Sequence, residues 1–333
     1  MMGAAPISRR RALSIVAGAG ALLLPRRSRA DAPRLFEWRG TALGAEACIA
    51  LYHRDEAAAA AAVGAAVSEV ERLEGEFSLY RPDSALVRLN RDGVLDRPSL
   101  DMLRLLQASI RFGEMSGGAF DVTVQPLWEL YARHFAAHPD DAAGPSPAVL
   151  RRACRRVGFR RIGLAPERIT LAPGTAVTLN GIAQGYVTDR IAGLLQDHGW
   201  RDVLVDLGEI RGLGSHPDGR PWTIGLPDPQ HAPALLAEIP LSRRAAATSA
   251  GSGTTFDPAG RYHHLFVPHT GRCAGSYRAV TVLADQAMVA DALSTTLAVM
   301  PRQQAPALLR RFPGIEVRVV DEGGRLAAIT DPL

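Results

Sequence analysis

The most regular hydrophobic pattern in the chain lies near its C-terminal end. In ADQAMVADALSTTLAVM, residues 284–300, Val289, Leu293, Leu297 and Met300 recur three and four apart and predict one apolar stripe of a helix. Asp291, Ser294 and Thr295 share a different face of that helix. They group a carboxylate and two hydroxyls, hard oxygen donors of the kind magnesium takes. Just upstream, RYHHLFVPHTG (residues 261–271) sets His263, His264 and His269 around a Pro-His-Thr-Gly turn, where an imidazole could be held near those oxygens. A solvated helix face with loop histidines accounts for the same residues, so the rest of the chain must decide.

The earlier pattern mixes two periods. Residues 35–51 alternate as two strands around a turn over 40–44. An alanine-rich helix follows over 55–76, with Val63, Val67, Val70 and Leu73 as its stripe. Residues 77–84 read as a loop closed by Pro82, with 86–90 a short return. A second amphipathic helix spans 100–115 and stops at Ser116-Gly117-Gly118; residues 119–123 lead out of it as a loop. The stretch 134–146, rich in Ala, Pro, Asp and Gly, predicts a mobile loop or lid. A hairpin over 158–171 and a short buried strand over 176–179 precede the glycine turn 180–185, which opens a helix over 186–198. Such a turn, with free N–H groups and the helix dipole, can receive phosphate. Strands follow at 202–206 and 222–226, with a strand-then-glycine segment at 207–214 between them. With no fixed-period repeat and no regular strand–helix alternation, the class expected is α+β.

Length and composition then narrow the picture. A chain of 333 residues, 47% hydrophobic and 22% charged, can bury a sizeable core. It has no lysine; all 38 basic residues are arginine. Residues 1–32 read as a twin-arginine signal peptide. Ser8-Arg9-Arg10-Arg11-Ala12-Leu13 precedes an apolar run over 12–24, too short to span a bilayer, and Ala30-Asp31-Ala32 suits signal peptidase. An uncleaved anchor is the rival reading. Residues 33–333 are then expected as one domain in the periplasm, exported folded. Residues 1–30 contain six arginines and no acidic residue, so without them the formal charge moves from +4 to −2 and gives no support for nucleic-acid binding. Cys48, Cys154 and Cys273 make neither a metal spacing nor a disulfide framework and are expected to be small buried residues.

Six segments carry a resemblance: GTALG (40–44), FSLYRPDSALVRLN (77–90), GGAFDVTV (117–124), LNGIAQGY (179–186), YHHLFVPHTG (262–271) and ADALSTT (290–296). In that order they resemble the FAD:protein FMN transferases, the ApbE family, over residues 40–300. LGEIRGLG and ATSAGSGTTFDPAGRYHHLF look most like the NosX-type periplasmic members linked to nitrous-oxide respiration. The resemblance implies an α+β, T-fold-related arrangement of mixed sheets with packed helices. It implies cleavage of FAD at its pyrophosphate, attachment of FMN to a threonine or serine of another flavoprotein, and release of AMP. The acceptor implied is NosR-like and membrane-bound, membrane contact coming only through it. Magnesium would be held by Asp291, Thr295 and the backbone carbonyl of Gly181. His264 would touch the phosphates or assist proton transfer, with His263 as the alternative, and Asp291 and His264 would carry the catalysis. FAD would meet Leu43, Tyr80, Ala119, Phe120, Asp121, Thr178, Gln184 and His264. The chain departs from the family pattern at Thr178 (usually aspartate), Gln184 (often lysine or a carboxylate), Val267 (usually aspartate) and Ser294 (a carboxylate in some members). Each change at 178, 184 and 267 removes a charge and keeps two further readings open: a flavin-delivery protein without transfer, or an FAD pyrophosphatase.

Overall fold

The computed structural model describes residues 14–15, 33–228 and 234–329. The expected leader lies outside these apart from β1 (Ser14–Ile15), which pairs antiparallel with Ile224 and Gly225. β2 (Arg34–Ala42) and β3 (Ala45–His53) form a hairpin tighter than expected. β2 continues through Gly40 and Thr41, and the turn is Leu43-Gly44 alone, with φ of 49° and 76°. Positive φ at both turn positions matches the twist of paired strands.

α1 (Glu56–Phe77) starts where the Asp55 carboxylate accepts the N–H groups of Ala57 and Ala58 at 2.9 and 3.1 Å, a cap contributing about 1 kcal/mol. Its buried face is Ala59, Ala66, Val70, Leu73 and Phe77. The expected stripe is therefore rotated, with Val63 and Val67 only half-buried. Alanine methyls let the helix lie close to its neighbours, and in an alanine-rich run they leave no periodic signal. α2 (Ala85–Asp92) replaces the expected short return: the Ser84 hydroxyl accepts the Val87 N–H at 3.1 Å and caps a helix too short to show a period.

β4 (Val94–Asp96) leads to α3 (Leu100–Met115), which ends at Ser116–Gly118 as the sequence predicts. α4 (Gln125–Ala137) has no counterpart in the sequence reading, although Leu127, Tyr131 and Phe135 fall four apart on its buried face. It absorbs the first residues of the expected lid. The remainder of that stretch is tied down: His134 bonds Asp141 at 2.9 Å, and the Tyr262 hydroxyl donates to the Ala142 carbonyl at 3.1 Å.

α5 (Pro147–Cys154) and a 3-10 turn, Phe159–Arg161, precede the expected hairpin of β5 (Ile162–Ala165) and β6 (Arg168–Leu171), which with β4 forms a small sheet in the order β4-β6-β5. Residues 176–179 are extended but are not a strand. The Asn90 side chain accepts the Val177 N–H at 2.7 Å and donates to its carbonyl at 2.8 Å, and the Thr178 N–H goes to the Val122 carbonyl. Side-chain and loop partners take the bonds a ladder would have used. α6 (Ala183–Asp197) begins earlier than expected, so Gly185 lies inside its first turn.

β7 (Val203–Asp206), β8 (Ile210–Leu213), β9 (Trp222–Pro227), β10 (Leu235–Leu241), β11 (Ala245–Ala250), β12 (Ala279–Ala284), α7 (Ala287–Val299), α8 (Ala305–Leu309), β13 (Glu316–Val320) and β14 (Leu326–Ile329) complete the described chain. Eight of the described strands make one antiparallel sheet, ordered β14-β13-β12-β11-β8-β7-β3-β2. Its middle is narrow: β8 and β11 share two registered pairs, Ala245 with Arg211 and Ala246 with Ile210. One sheet face packs on the helices in a core running from Ala42 to Val319; the other is covered by the β9–β10 hairpin through Trp222, Ile224 and Leu241. The architecture is α+β, as expected.

α7 differs from its expected amphipathic form. Ala290, Asp291, Leu293, Ser294, Thr296 and Leu297 are all buried, so its polar face is enclosed and not solvated. The alanine strand β11, with Ala245, Ala246 and Ala247 fully buried, leaves room for the helix.

Away from this helix, Asp101 ties α3 to α1 and α6. Burial raises its pKa, but the Tyr186 hydroxyl and the Arg72 guanidinium, both at 2.6 Å, outweigh it and hold the carboxyl below the usual aspartate range. The unfolded chain therefore binds this proton first as pH falls. The stabilisation is complete above the ordinary aspartate pKa and is lost as pH drops toward the lower folded value. Asp101→Asn should cost about 1–3 kcal/mol near pH 7. It should also flatten the fall in urea midpoint between about pH 5 and pH 3. Identical pH slopes in the two proteins would remove Asp101 as a source of acid sensitivity.

Candidate functional site

The principal cavity opens where α6, α7, β11 and the β7–β8 turn converge. It is lined by Tyr80, Ala119, Phe120, Asp121, Thr178, Gly181, Gln184, His264, Asp291 and Thr295. These are the residues singled out from the sequence with one exception. Leu43 is not in the lining; it is buried in the β2–β3 turn and its N–H donates to Glu74. It stands beside the cavity wall, since a side chain at Gly44 would sit 3.3 Å from the Tyr80 ring.

The oxygen cluster on α7 is built from three sides. The Asp291 carboxylate accepts the Gly185 N–H at 3.1 Å, which joins α7 to the first turn of α6. Ser249 of β11 bonds both Ser294 (2.8 Å) and Thr295 (3.1 Å). Gly181 comes so close that a Cβ there would lie 2.9 Å from the Thr295 hydroxyl oxygen. Carboxylate, hydroxyl and Gly181 backbone therefore meet on one wall. Among the described residues no three His, Cys, Asp or Glu side chains are grouped to hold a metal. The donor set here is a mixed one of hard oxygens, which suits a cation that keeps waters and substrate oxygens in its shell.

The two histidines separate cleanly. The His263 Nε2 bonds the Ala274 carbonyl at 2.9 Å, its Nδ1 lies 3.3 Å from the Leu265 N–H, and burial pulls its pKa down. It is a structural, neutral histidine. His264 lines the cavity with its Nδ1 3.2 Å from the Thr254 carbonyl. A carbonyl can only accept, so Nδ1 is the donor in that bond.

The loop after α3 is fixed by Asp121. One carboxylate oxygen accepts the N–H (2.8 Å) and hydroxyl (2.5 Å) of Thr123, and the other accepts the Phe159 N–H at 2.9 Å. Burial raises its pKa against those bonds. The Phe120 ring is buried against Phe112. Tyr80 is the opposite case, 61% exposed at the cavity wall.

The departures also have defined places. Thr178 accepts the Asn180 N–H at 3.3 Å, and Gln184 packs on the backbone of Gly208. Val267 sits outside this lining, in the turn where its carbonyl accepts the Gly271 N–H.

Sequence reasoning missed Asp206, Glu209 and Ser249, all of which line the cavity. DLGEIRG reads as strand and turn, and only the β7–β8 pairing turns its two acids inward; Glu209 is buried, and its carbonyl accepts the Leu207 N–H and the Thr188 hydroxyl. Among the described residues the cavity wall thus carries four carboxylates, Asp121, Asp206, Glu209 and Asp291, and no arginine.

The sequence model of the ApbE family matches residues 43–319. An FAD:protein FMN transferase of Treponema pallidum is 34% identical over 300 residues, covering 81% of this chain and 80% of the relative. One from Vibrio cholerae is 33% identical over 265 residues, covering 76% and 78%. Among solved structures, the flavin transferase ApbE from Vibrio cholerae superposes with a TM-score of 0.76 at 26% identity, covering 90% of this chain and 98% of the other. The ApbE protein from Thermotoga maritima gives 0.77 at 27% identity, covering 89% and 97%.

Proposed function

The chain belongs to the ApbE family of flavinyltransferases, and on that premise we propose that it is an FAD:protein FMN transferase. The observation that carries the reading is the cavity itself. It assembles an exposed tyrosine, a histidine whose Nδ1 is held by the Thr254 carbonyl, and an oxygen cluster on α7. In the transfer, the hydroxyl oxygen of an acceptor threonine or serine bonds to the FMN phosphorus. The bond to the bridging pyrophosphate oxygen breaks, and AMP leaves with that electron pair. His264 Nε2 receives the hydroxyl proton.

A pyrophosphate cannot settle among four carboxylates without a counter-charge. Asp291, Thr295 and the Gly181 carbonyl fit that requirement and would hold Mg²⁺, which would neutralise charge on the pyrophosphate when bound. Asp121, with its oxygens bonded to Thr123 and Phe159, holds the nucleotide-facing loop in place. Thr178 and Gln184 offer hydrogen bonds to the nucleotide in place of charges.

The finer reading places the enzyme in the periplasm, delivered by the twin-arginine leader, with a membrane-bound NosR-like flavoprotein as acceptor. The NosX-like segments LGEIRGLG and ATSAGSGTTFDPAGRYHHLF support it. The test incubates residues 33–333 with FAD, Mg²⁺ and a recombinant NosR flavin domain. A covalent FMN mass on the acceptor with matching AMP is expected. Free FMN appearing with AMP and no adduct would identify a pyrophosphatase, and FAD binding without AMP release a delivery protein.

A further inference from the structure

Between Asp141 and Glu167 the chain has no acidic residue and six arginines: Arg151, Arg152, Arg155, Arg156, Arg160 and Arg161. Five of them are exposed, and none forms an ion pair with another described residue. In a chain whose residues 31–333 carry a formal −2, this is a concentrated positive face. It runs along α5 and the 3-10 turn, with the exposed Val149 three residues from Arg152 on the same side of the helix.

The face is bolted to the catalytic cavity. The Gly158 N–H donates to the Thr123 hydroxyl at 2.6 Å, and the Phe159 N–H to Asp121 at 2.9 Å. A second cavity edged by Val157, Phe159 and Arg160 shares Ala119, Asp121, Pro268 and Val299 with the first. A body resting on these arginines therefore bears directly on the loop that walls the FAD cavity.

The geometry points to this face as the docking surface for the acceptor protein, through an acidic patch beside the acceptor's modified hydroxyl. The inference rests on the transferase reading above. Charge complementarity gives the orientation, because a partner steered by the arginines arrives beside the cavity. An anionic membrane is the weaker fit. Val149 is the one large apolar side chain exposed among the arginines of the described residues, too little to insert into a bilayer.

The test is the triple variant Arg151→Glu, Arg152→Glu, Arg155→Glu, none of which lines the catalytic cavity. FMN transfer is followed from 25 to 300 mM NaCl to two acceptors: the NosR flavin domain, and a short peptide carrying its modified threonine. Charge reversal should raise the KM for the domain at low salt about tenfold or more and abolish its salt dependence. The kcat, the KM for FAD and transfer to the peptide should be unchanged. An unaltered KM and salt profile for the domain would overturn the assignment. So would loss of binding to phosphatidylglycerol vesicles with domain kinetics intact, which would make the face a membrane contact. Failure of the wild type on both acceptors would speak against the proposed activity and leave the docking question to sedimentation velocity. Salt-sensitive association with the domain that the triple variant loses would sustain the surface, and no association would end it.

Discussion

Asp291→Ala should abolish FMN transfer, lowering kcat/KM by about a thousandfold or more. Asp291 is the carboxylate that α7 places one turn from Thr295, which meets Gly181, and it is buried. The alanine change also strands the Gly185 N–H that Asp291 accepts, which should cost about 1–3 kcal/mol of stability. Asp291→Asn separates the two effects, because the amide oxygen can still accept that N–H but carries no charge. The asparagine variant should fold like the wild type and yet fail to transfer. Wild-type protein should gain thermal stability when Mg²⁺ and FAD are added together, and both variants should not. Transfer by either variant at wild-type rate would remove Asp291 from the cation site.

Gly185→Ala should be among the most damaging single methyl additions in the molecule. A Cβ at Gly185 would lie 2.3 Å from the Ala287 carbonyl oxygen and 2.7 Å from the Met288 Cα, both backbone atoms of α7. Those atoms cannot easily retreat. Asp189 accepts the N–H groups of Ala287 and Met288 at 2.9 Å each and pairs with Arg211, so α6 grips the start of α7. The expected loss is about 2–4 kcal/mol, read as a fall in urea midpoint with unchanged slope. Gly193→Ala is the control. It lies on the same helix with nothing within 4 Å of the added methyl, and should be neutral or stabilising by up to about 1 kcal/mol. Equal midpoints for the two variants would show that the α6–α7 approach is not tight.

Much of the fold was legible because its elements carry one clear period. α3 and the β5–β6 hairpin stand where alternation and glycine stops put them. What stayed hidden lacked that signal for physical reasons. The buried face of α1 is partly alanine in an alanine-rich run; α2 is shorter than the pattern that would reveal it; residues 176–179 spend their backbone bonds on Asn90 and Val122. Asp291 and Thr295 were legible as the oxygen-bearing face of a helix, whereas His264 was set apart from His263 only by the family resemblance. Asp206 and Glu209 were not legible, because a carboxylate in a strand–turn segment faces solvent unless a strand pairing turns it inward. That pairing links β7 to β8 and is invisible to local pattern.

The narrow join between β8 and β11 bears on when this protein first becomes able to hold a ligand. Gln184, Asp206 and Glu209 stand on the earlier-synthesised side of that join, and Ser249, His264, Asp291 and Thr295 on the later. A nascent chain emerging from the ribosome can complete the first four strands of the sheet while the pocket still has only one wall. On the proposed function, flavin nucleotide would then be captured only after the last third of the polypeptide has docked. Ligand occupancy would mark the finished molecule, and would stabilise it as a whole instead of either portion alone.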